Sequence, residues 1–235
     1  MLKLKISLIN YTAQHANQLQ YFGGVTSNTS IDEINNSSSN IEKDANVKAG
    51  SSALTSKKSS ETIGLAVFNK DKLVGELSGI ESACYLILTN KLDTCTISIK
   101  NPLDNTSSID LYIYKQKNTK KKINFINNSP YINIDVSIKA RILSTSKNAE
   151  ELTNANIEKI EDSVNRYLQE EISDFLYKTS LTYNSDICGL GRYAVTKFYK
   201  NSDWENYNWL ENYKNSVFNV TVNSKVVSSL LFTEV

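Results

Sequence analysis

The fold is decided by residues 132–142, INIDVSIKARI, and by residues 157–176, IEKIEDSVNRYLQEEISDFL. In the first stretch every second residue is apolar and the others are polar or charged, which is typical of a strand with one solvated face. In the second stretch apolar residues recur at three- and four-residue intervals over about five turns, which predicts an amphipathic helix. We expect this helix to cover the apolar face of the sheet, where each large side chain contributes roughly 1.5–3 kcal/mol.

Further elements flank this pair. The same alternation predicts strands near residues 95–99, 109–113 and 123–125, and a closing strand from Val217 to Val227. A second, shorter helix contains Trp204 and Trp209, and a capping box of Ser202 and Glu205 is expected at its start. The order of strands, helices and one last strand predicts the α+β class, with an antiparallel sheet packed against the long helix and the shorter one.

The N-terminal part of the chain contains an isolated strand, a polar tract and a small hairpin–helix unit. Residues 3–9 alternate between polar and apolar side chains, and a strand there needs a sheet to join downstream. Residues 26–60 are rich in serine and asparagine, which predicts a flexible linker because such a tract buries little apolar surface. Apolar runs around residues 69–71 predict a hairpin, and a capping box of Ser78 and Glu81 starts the helix after it. The expected domains are 1–62, a remnant N-terminal strand plus flexible polar linker; 63–93, a small hairpin–helix domain; and 94–235, the C-terminal α+β domain.

Composition limits the class of protein. A net charge of +1 gives no support for a nucleic-acid partner, and no window reaches the ~18 apolar residues of a membrane helix. The N-terminus has no apolar signal core and no cysteine for lipidation, so we expect a soluble chain. Among the three cysteines, Cys84 and Cys95 allow one disulfide bond, and free buried thiols are the favoured alternative.

No set of residues has the spacing of a catalytic, cofactor or metal site. The lone histidine, His15, lies in a polar stretch without a nucleophile motif beside it. Acidic residues from Glu150 to Glu171 fall along the long helix, which indicates a solvated helix surface rather than two carboxylates facing across a cleft. The Gly189-Leu190-Gly191 sequence lacks the third glycine and the preceding strand of a dinucleotide loop, so we interpret its glycines as turn or packing residues. We therefore predict that the protein is not an enzyme.

Two surface clusters are candidates for binding. The lysines of residues Lys115–Lys122 are expected in a turn between two strands, either as a solvated tip or as a weak contact with an anionic membrane surface. The three tyrosines Tyr112, Tyr114 and Tyr131 are a candidate exposed cluster, suited to stacking against sugars. The second cluster is the basis of an alternative function, namely a module that binds a small ligand or a cell-envelope polymer.

An ordered set of short motifs carries a resemblance to a known family. The motifs are Gly64-Leu65-Ala66-Val67-Phe68, Leu73-Val74-Gly75, Leu77-Ser78, Glu81-Ser82, Asp186-Ile187-Cys188-Gly189-Leu190-Gly191, and the helix and strand that contain Trp204, Trp209, Phe218, Val220 and Val222. From about residue 63 to its end, the chain resembles the Ger(x)C family, the lipoprotein C subunit of bacterial spore germinant receptors. The motif residues Phe68, Gly75, Ser78, Glu81, Asp186, Gly189, Gly191, Trp204 and Trp209 are interpreted as structural.

The resemblance implies a function that the residues alone do not indicate. It implies a non-catalytic, cofactor-free subunit at the outer face of the spore inner membrane, assembled with integral membrane subunits into a nutrient receptor. Glu76 stands where the family often has tryptophan, and the last strand ends without the family's basic residues. The family's leader, lipidated cysteine and most of its N-terminal domain are expected to be missing from this chain.

Overall fold

The structure, a computed structural model, describes residues 5–8, 65–69, 72–104, 106–145 and 153–227. The predicted linker at residues 26–60 and His15 lie outside the described residues. The chain divides into two compact units, Met1–Ala83 and Cys84–Val235. The domain limits expected after residues 62 and 93 stay predictions.

The first unit contains a three-stranded antiparallel sheet. Its strands are β1 (Lys5–Leu8), β2 (Leu65–Asn69) and β3 (Lys72–Leu77), in the order β1-β2-β3. The isolated N-terminal strand therefore pairs with a downstream strand, as predicted, with Lys5 opposite Phe68. Helix α1 (Gly79–Leu88) begins in this unit and ends in the second.

The capping box predicted at the start of α1 is confirmed. The backbone N–H of Ser78 donates to Glu81 Oε2 at 2.8 Å, and the N–H of Glu81 donates to Ser78 Oγ at 3.3 Å. Two backbone donors at the helix start, which have no partner within the helix itself, are thereby satisfied.

The second unit is built around one long central strand. Its strands are β4 (Thr94–Lys100), β5 (Ser108–Lys115), β6 (Lys120–Ile126), β7 (Ser129–Thr145) and β8 (Val217–Val227). β6 and β5 pair with successive parts of β7 along one edge, both antiparallel to it, and β4 pairs with β5. β8 pairs with the other edge of β7 in the parallel direction. The α+β class is confirmed, and the larger sheet is mixed because of β8.

A two-residue turn of Asn127 and Asn128 joins β6 to β7. Both residues have positive φ, 48° and 68°, and Ile126 lies opposite Ser129 across the turn. Two consecutive residues of positive φ match the twist of a tight antiparallel hairpin, and asparagine tolerates this conformation better than most residues.

Helix α2 (Asn154–Tyr177) is the long helix predicted from the sequence. Its buried residues, Ile160, Val164, Leu168, Ile172, Phe175 and Leu176, are the predicted apolar stripe, apart from Ile157, which is half-buried. The helix contacts β8 on one side of the sheet and β4 on the other, so it covers the inner face.

The side chains of α2 also satisfy backbone groups at the outer edge of β8. Asn165 Oδ1 accepts a hydrogen bond from the N–H of Ser224 at 2.7 Å, and Glu161 Oε1 accepts one from the N–H of Val226 at 2.8 Å. Because an uncovered strand edge invites pairing with other chains, this part of α2 protects the end of β8.

The second helix of the prediction is broken into separate pieces. After a π-helical turn at Lys178–Thr182, the chain forms α3 (Gly191–Ala194), a 3-10 turn at Val195–Lys197, α4 (Asn201–Tyr207) and α5 (Trp209–Tyr213). Asn208 separates α4 from α5 because it adopts the left-handed conformation, with φ of 49°.

The capping box predicted for Ser202 and Glu205 is wrong. The helix begins at Asn201, two residues earlier than the box requires, and Lys200 at the cap position makes no side-chain cap bond. Glu205 Oε1 instead accepts a hydrogen bond from Asn201 Nδ2 at 2.8 Å, a pairing of residues one helical turn apart.

Candidate functional site

The turn between α2 and α3 is organised by the carboxylate of Asp186. Its Oδ1 accepts a hydrogen bond from the backbone N–H of Leu190 at 2.8 Å, and its Oδ2 accepts one from the N–H of Gly191 at 2.6 Å. The indole N–H of Trp209 donates to the same Oδ2 at 3.0 Å. We call Asp186–Gly191 the Asp186 turn; its carboxylate joins the turn to helix α5.

The Asp186 carboxyl is buried, and hydrogen-bond donors and a nearby positive charge partly offset the effect of burial on its pKa. Burial raises the pKa of the Asp186 carboxyl, while the amides of Gly191 and Leu190, the Trp209 indole and the charge of Lys121 act in the opposite direction. Burial also lowers the pKa of the Lys121 amine, whereas the nearby Cys188 and Asp186 act to raise it. Lys121 therefore serves as a counter-charge for the turn from strand β6, and its Nζ lies 5.2 Å from the ring centroid of Tyr193.

The two glycines of the turn are required for different reasons. Gly189 has a φ of +66°, a conformation that costs a residue with a side chain about 1–2 kcal/mol. A Cβ at Gly191 would lie 2.9 Å from Trp209 Nε1, closer than packed atoms approach, and 3.3 Å from Asp186 Oδ2, which is a tight contact. The interpretation of both glycines as turn and packing residues agrees with this geometry.

The two tryptophans belong to a continuous cluster of aromatic side chains. Trp204 stacks on Trp209 with ring centroids 5.8 Å apart, and Trp209 lies 5.5 Å from Tyr213. Each such contact contributes about 0.5–1.5 kcal/mol beyond the burial of its area. The cluster links strands β6 and β8 to the C-terminal helices through Phe125, Tyr177, Phe198, Trp204, Tyr207, Trp209, Tyr213 and Phe218.

Two tyrosine hydroxyls of this cluster have hydrogen-bond partners inside the protein. The buried hydroxyl of Tyr213 lies 2.8 Å from Thr179 Oγ1, which donates its own proton to the carbonyl of Leu176. Tyr207 donates its hydroxyl proton to the carbonyl of Asn128 in the β6–β7 turn at 2.8 Å. The first contact joins α5 to the π-helical turn after α2, and the second joins α4 to the end of the β6–β7 hairpin.

The geometry does not favour a phosphate loop or an acid–base pair at this turn. The N–H groups of Leu190 and Gly191, which a phosphate would need, already bond to the Asp186 carboxylate. Both oxygens of Asp186 are engaged by donors that belong to the fold. Burial raises the pKa of the Cys188 thiol far above its usual value, so this cysteine stays protonated rather than forming a thiolate nucleophile.

The remaining motif residues lie in the first unit. Phe68 is half-buried in β2 next to a shift in the strand register, and Gly75 in β3 lies opposite Val67. Their contribution as family motif residues stays a prediction. In the second unit, no local pattern indicates the electrostatic interaction of Lys121 with Asp186, since the two residues are far apart along the chain.

The predicted basic cluster is divided between several environments. The prediction of a turn is wrong for Lys120, Lys121 and Lys122. These residues lie in strand β6, because this stretch pairs with strand β7. Alternation along the strand places Lys120 and Lys122 on the solvated face and Lys121 on the helix-covered face. Lys115 donates to the carbonyl of Asn90 at 3.3 Å.

The three tyrosines of the predicted sugar-stacking cluster do not come together. Tyr112 and Tyr114 are neighbours, with ring centroids 6.5 Å apart, on the solvated face of β5. Tyr131 lies ten positions from Arg141, the partner of Tyr112 on β7, which corresponds to about 33 Å along the strand. In addition, the guanidinium carbon of Arg141 lies 5.2 Å from the Tyr112 ring centroid, so Arg141 covers a ring face on which a sugar would stack.

Three further features bear on the type of site. Cys84, Cys95 and Cys188 are free, which agrees with the favoured alternative from the sequence. Within the described ranges, no group of three or more His, Cys, Asp or Glu side chains is placed to hold a metal ion. Among the described helices, none has the length and hydropathy that a membrane-spanning segment needs.

Comparison with known proteins connects this geometry to a family. The family described as "Spore germination B3/ GerAC like, C-terminal" matches residues 63–229. The chain is similar to "Spore germination protein GerQC" of Bacillus cereus, with 25% identity over 169 residues, covering 72% of this chain and 46% of that protein. It also has the fold of the structure titled "Crystal Structure of the GerBC protein", with a TM-score of 0.62 and 19% identity over 73% of this chain and 53% of that one.

The matched region contains all the motif residues, from Phe68 to Trp209. The chain spans about half the length of the relatives it matches. Together, the ordered motifs, the family match over most of the chain and the shared α+β fold show that the chain belongs to the spore germination GerAC-like, or Ger(x)C, family.

Proposed function

We propose that this chain acts in spore germination as a non-catalytic subunit of a nutrient germinant receptor, through contacts with other proteins. The observation that carries the proposal is the family match over residues 63–229. The Asp186 turn supports a non-catalytic role, because its buried carboxylate is held by donors of the fold and not directed into a cleft. The function then depends on the outer surface of the second unit.

Deletion of the coding region for residues 63–229 in the spore-forming host tests this proposal. We expect spores that form normally and keep their heat resistance, but no longer germinate in response to the nutrient mixture that triggers the parent strain. Reintroduction of the intact gene is the control and should restore the response. Unchanged nutrient-triggered germination in the deletion strain would refute the proposal.

We also propose that the protein works at the outer face of the spore inner membrane, beside integral membrane subunits. The exposed Lys120 and Lys122 side chains are suited to an anionic lipid surface, where each lysine contributes about 1 kcal/mol. Sedimentation with phosphatidylglycerol vesicles tests this contact. Replacing both lysines by glutamine should weaken sedimentation, whereas Lys214→Gln, which changes an exposed lysine at the end of α5, serves as the control. Equal sedimentation of all three proteins would exclude a role for Lys120 and Lys122.

The alternative function, binding of a small ligand or cell-envelope polymer, is supported only by the neighbouring Tyr112 and Tyr114. Calorimetry with nutrients and with peptidoglycan fragments distinguishes the two functions. Heat of binding that disappears in a Tyr114→Ala variant would favour the alternative, and its absence with every compound would count against it.

A further inference from the structure

The solvated face of the larger sheet carries an excess of positive charge. Along each strand the residues that alternate with the buried ones point to this face, which we call the open face. Its described charged residues are the cations Lys100, Lys120, Lys122, Lys139, Arg141 and Lys225 and the carboxylates Asp110 and Asp135. The open face thus has four more cations than carboxylates, although the net charge of the whole chain is only +1.

Three of these cations are neighbours on the sheet, and none of them has a carboxylate as its cross-strand register partner. Lys139 of β7 lies directly opposite Lys225 of β8, with the strands about 4.8 Å apart. Arg141 follows two residues after Lys139 on the same face, about 7 Å along the strand. Like charges directly opposite each other destabilise a sheet, so this arrangement opposes folding unless something else uses it.

Of the two carboxylates of the open face, Asp135 is remote from this group and Asp110 is bound to Ser98. Asp135 lies opposite Lys120 and is four positions from Lys139, about 13 Å along β7. Asp110 accepts a hydrogen bond from Ser98 Oγ. The direct register partners of Lys139 and Arg141 on β5 are tyrosines, Tyr114 and Tyr112 respectively.

The guanidinium group of Arg141 lies against the ring of Tyr112. The Tyr112 ring lies 5.2 Å from the Arg141 guanidinium carbon, and Tyr114 lies beside Tyr112. A guanidinium held against an aromatic ring keeps its planar set of donors available, and that set matches the two oxygens of a carboxylate. Arginine and tyrosine are also enriched where protein interfaces carry their binding energy.

We propose that Tyr112, Tyr114, Lys139, Arg141 and Lys225 form a docking surface for an acidic segment of a partner protein. This inference rests on the proposed function and names the surface through which the protein contact is made. An acidic protein segment fits better than a lipid headgroup, because attraction to lipid needs only positive charge, whereas here an aromatic ring orients the arginine. Carboxylates of the partner that bind between Lys139 on β7 and Lys225 on β8 would relieve the repulsion between these two lysines.

A synthetic octapeptide of alternating glutamate and serine is the probe for this surface. We expect calorimetry to detect its binding to the full chain, and the same peptide with lysine in place of glutamate not to bind. Arg141→Gln and Lys225→Gln should each weaken binding roughly tenfold, as expected for the loss of a charge-assisted contact. The control variant Lys214→Gln should bind like the unmodified protein. Binding should also weaken as the salt concentration rises, because the contact is electrostatic.

A charge reversal separates docking from folding. Lys225→Glu should abolish peptide binding without lowering the melting temperature, because it converts a like-charge pair into an opposite-charge pair. A loss of binding that comes with a lower melting temperature would instead assign Lys225 a structural role and overturn the proposal.

Vesicles and spores supply the remaining outcomes. If phosphatidylglycerol vesicles bind through Arg141 and Lys225 and the acidic peptide does not, the surface is a lipid site and the proposal is wrong; binding of neither probe also overturns it. In spores, Arg141→Gln combined with Lys225→Gln should impair nutrient-triggered germination. If this double variant germinates normally while the deletion strain does not, the docking surface is refuted and the receptor function stands; normal germination of the deletion strain refutes the receptor function itself.

Discussion

Replacing Gly191 by alanine is expected to destabilise the second unit, although alanine is the better helix former. Gly191 is the first residue of α3, and its N–H donates to Asp186 Oδ2. The added methyl group would lie 2.9 Å from Trp209 Nε1 and 3.0 Å from Trp209 Cδ1. The indole must move to accept it, and the movement stretches the hydrogen bond from Trp209 to Asp186.

The size of the effect follows from three contributions. Overpacking of a well-packed site typically costs about 1–3 kcal/mol, and a weakened buried hydrogen bond costs about 1–3 kcal/mol. Helix propensity offsets up to ~1 kcal/mol of this in favour of alanine. The expected net loss of unfolding free energy is about 2–4 kcal/mol, which corresponds to a melting temperature lower by roughly 5–15 °C for a domain of this size.

Urea denaturation followed by tryptophan fluorescence measures this change. Trp209 lies in the perturbed site, so its emission reports on the site as well as on global unfolding. Gly189→Ala is the matched control: its methyl group would meet the flexible Arg192 side chain at 3.3 Å, and only backbone strain of about 1–2 kcal/mol is expected. In a Trp209→Phe background, which removes the indole nitrogen, Gly191→Ala should cost less than in the unmodified protein.

An unchanged or increased stability of Gly191→Ala would refute the steric argument and leave only helix propensity at this position. Equal costs of the substitution with tryptophan and with phenylalanine at position 209 would contradict the coupling between the glycine and the indole. Either result would remove the physical reason for a glycine at the end of the Asp186 turn.

Three further predictions concern capping, titration and surface charge. Ser78→Ala should lower the unfolding free energy by about 1 kcal/mol, measured by thermal denaturation, because it removes the acceptor for the Glu81 N–H; an unchanged melting temperature would contradict the role of the cap. The pKa of Asp186 is raised in the folded protein above its ordinary value of 3.8, so its contribution to stability is largest below that pH and falls as the pH rises through the folded pKa. The difference in unfolding free energy between the unmodified protein and Asp186→Asn should therefore shift against the unmodified protein as the pH rises from about 3, and a difference that shifts the other way would show that the hydrogen bonds outweigh burial. Lys225→Glu should raise the unfolding free energy by about 0.5 kcal/mol through its new attraction to Lys139, a gain that should shrink in high salt.

The elements predicted correctly are those in which neighbouring residues decide the outcome. The stripe from Ile160 to Leu176 fixes a buried helix face through its spacing alone, and the Ser78–Glu81 box is formed within one turn. The fold class follows from the order of such local patterns. The predicted second helix failed at Asn208, where a single residue of positive φ interrupts an otherwise helical pattern that contains no glycine or proline.

The relations that depend on distant residues were beyond the sequence. Alternation has the same period in parallel and antiparallel strands, so it did not indicate that β8 runs parallel to β7. The β6–β7 hairpin is the exception, because the Asn127–Asn128 turn is a local signal for a two-residue hairpin, whereas the position of β5 beside the far part of β7 has no such signal. Nothing local joins Lys121 to Asp186, since their proximity arises only when α3 packs near β6.

The recognisable motif of this chain and its proposed docking surface are different parts of the molecule for a physical reason. At the Asp186 turn, few residue types are tolerated, because a buried carboxylate must meet three donors and a methyl group at Gly191 would displace an indole. The same hydrogen bonds occupy both oxygens of the Asp186 carboxylate with donors that belong to the fold. On the open face, by contrast, Lys139 and Lys225 lie directly opposite each other, and like charges in this arrangement destabilise a sheet. Because such residues cost stability and yet lie on a rigid sheet, they are the ones that we propose as contacts with a partner protein.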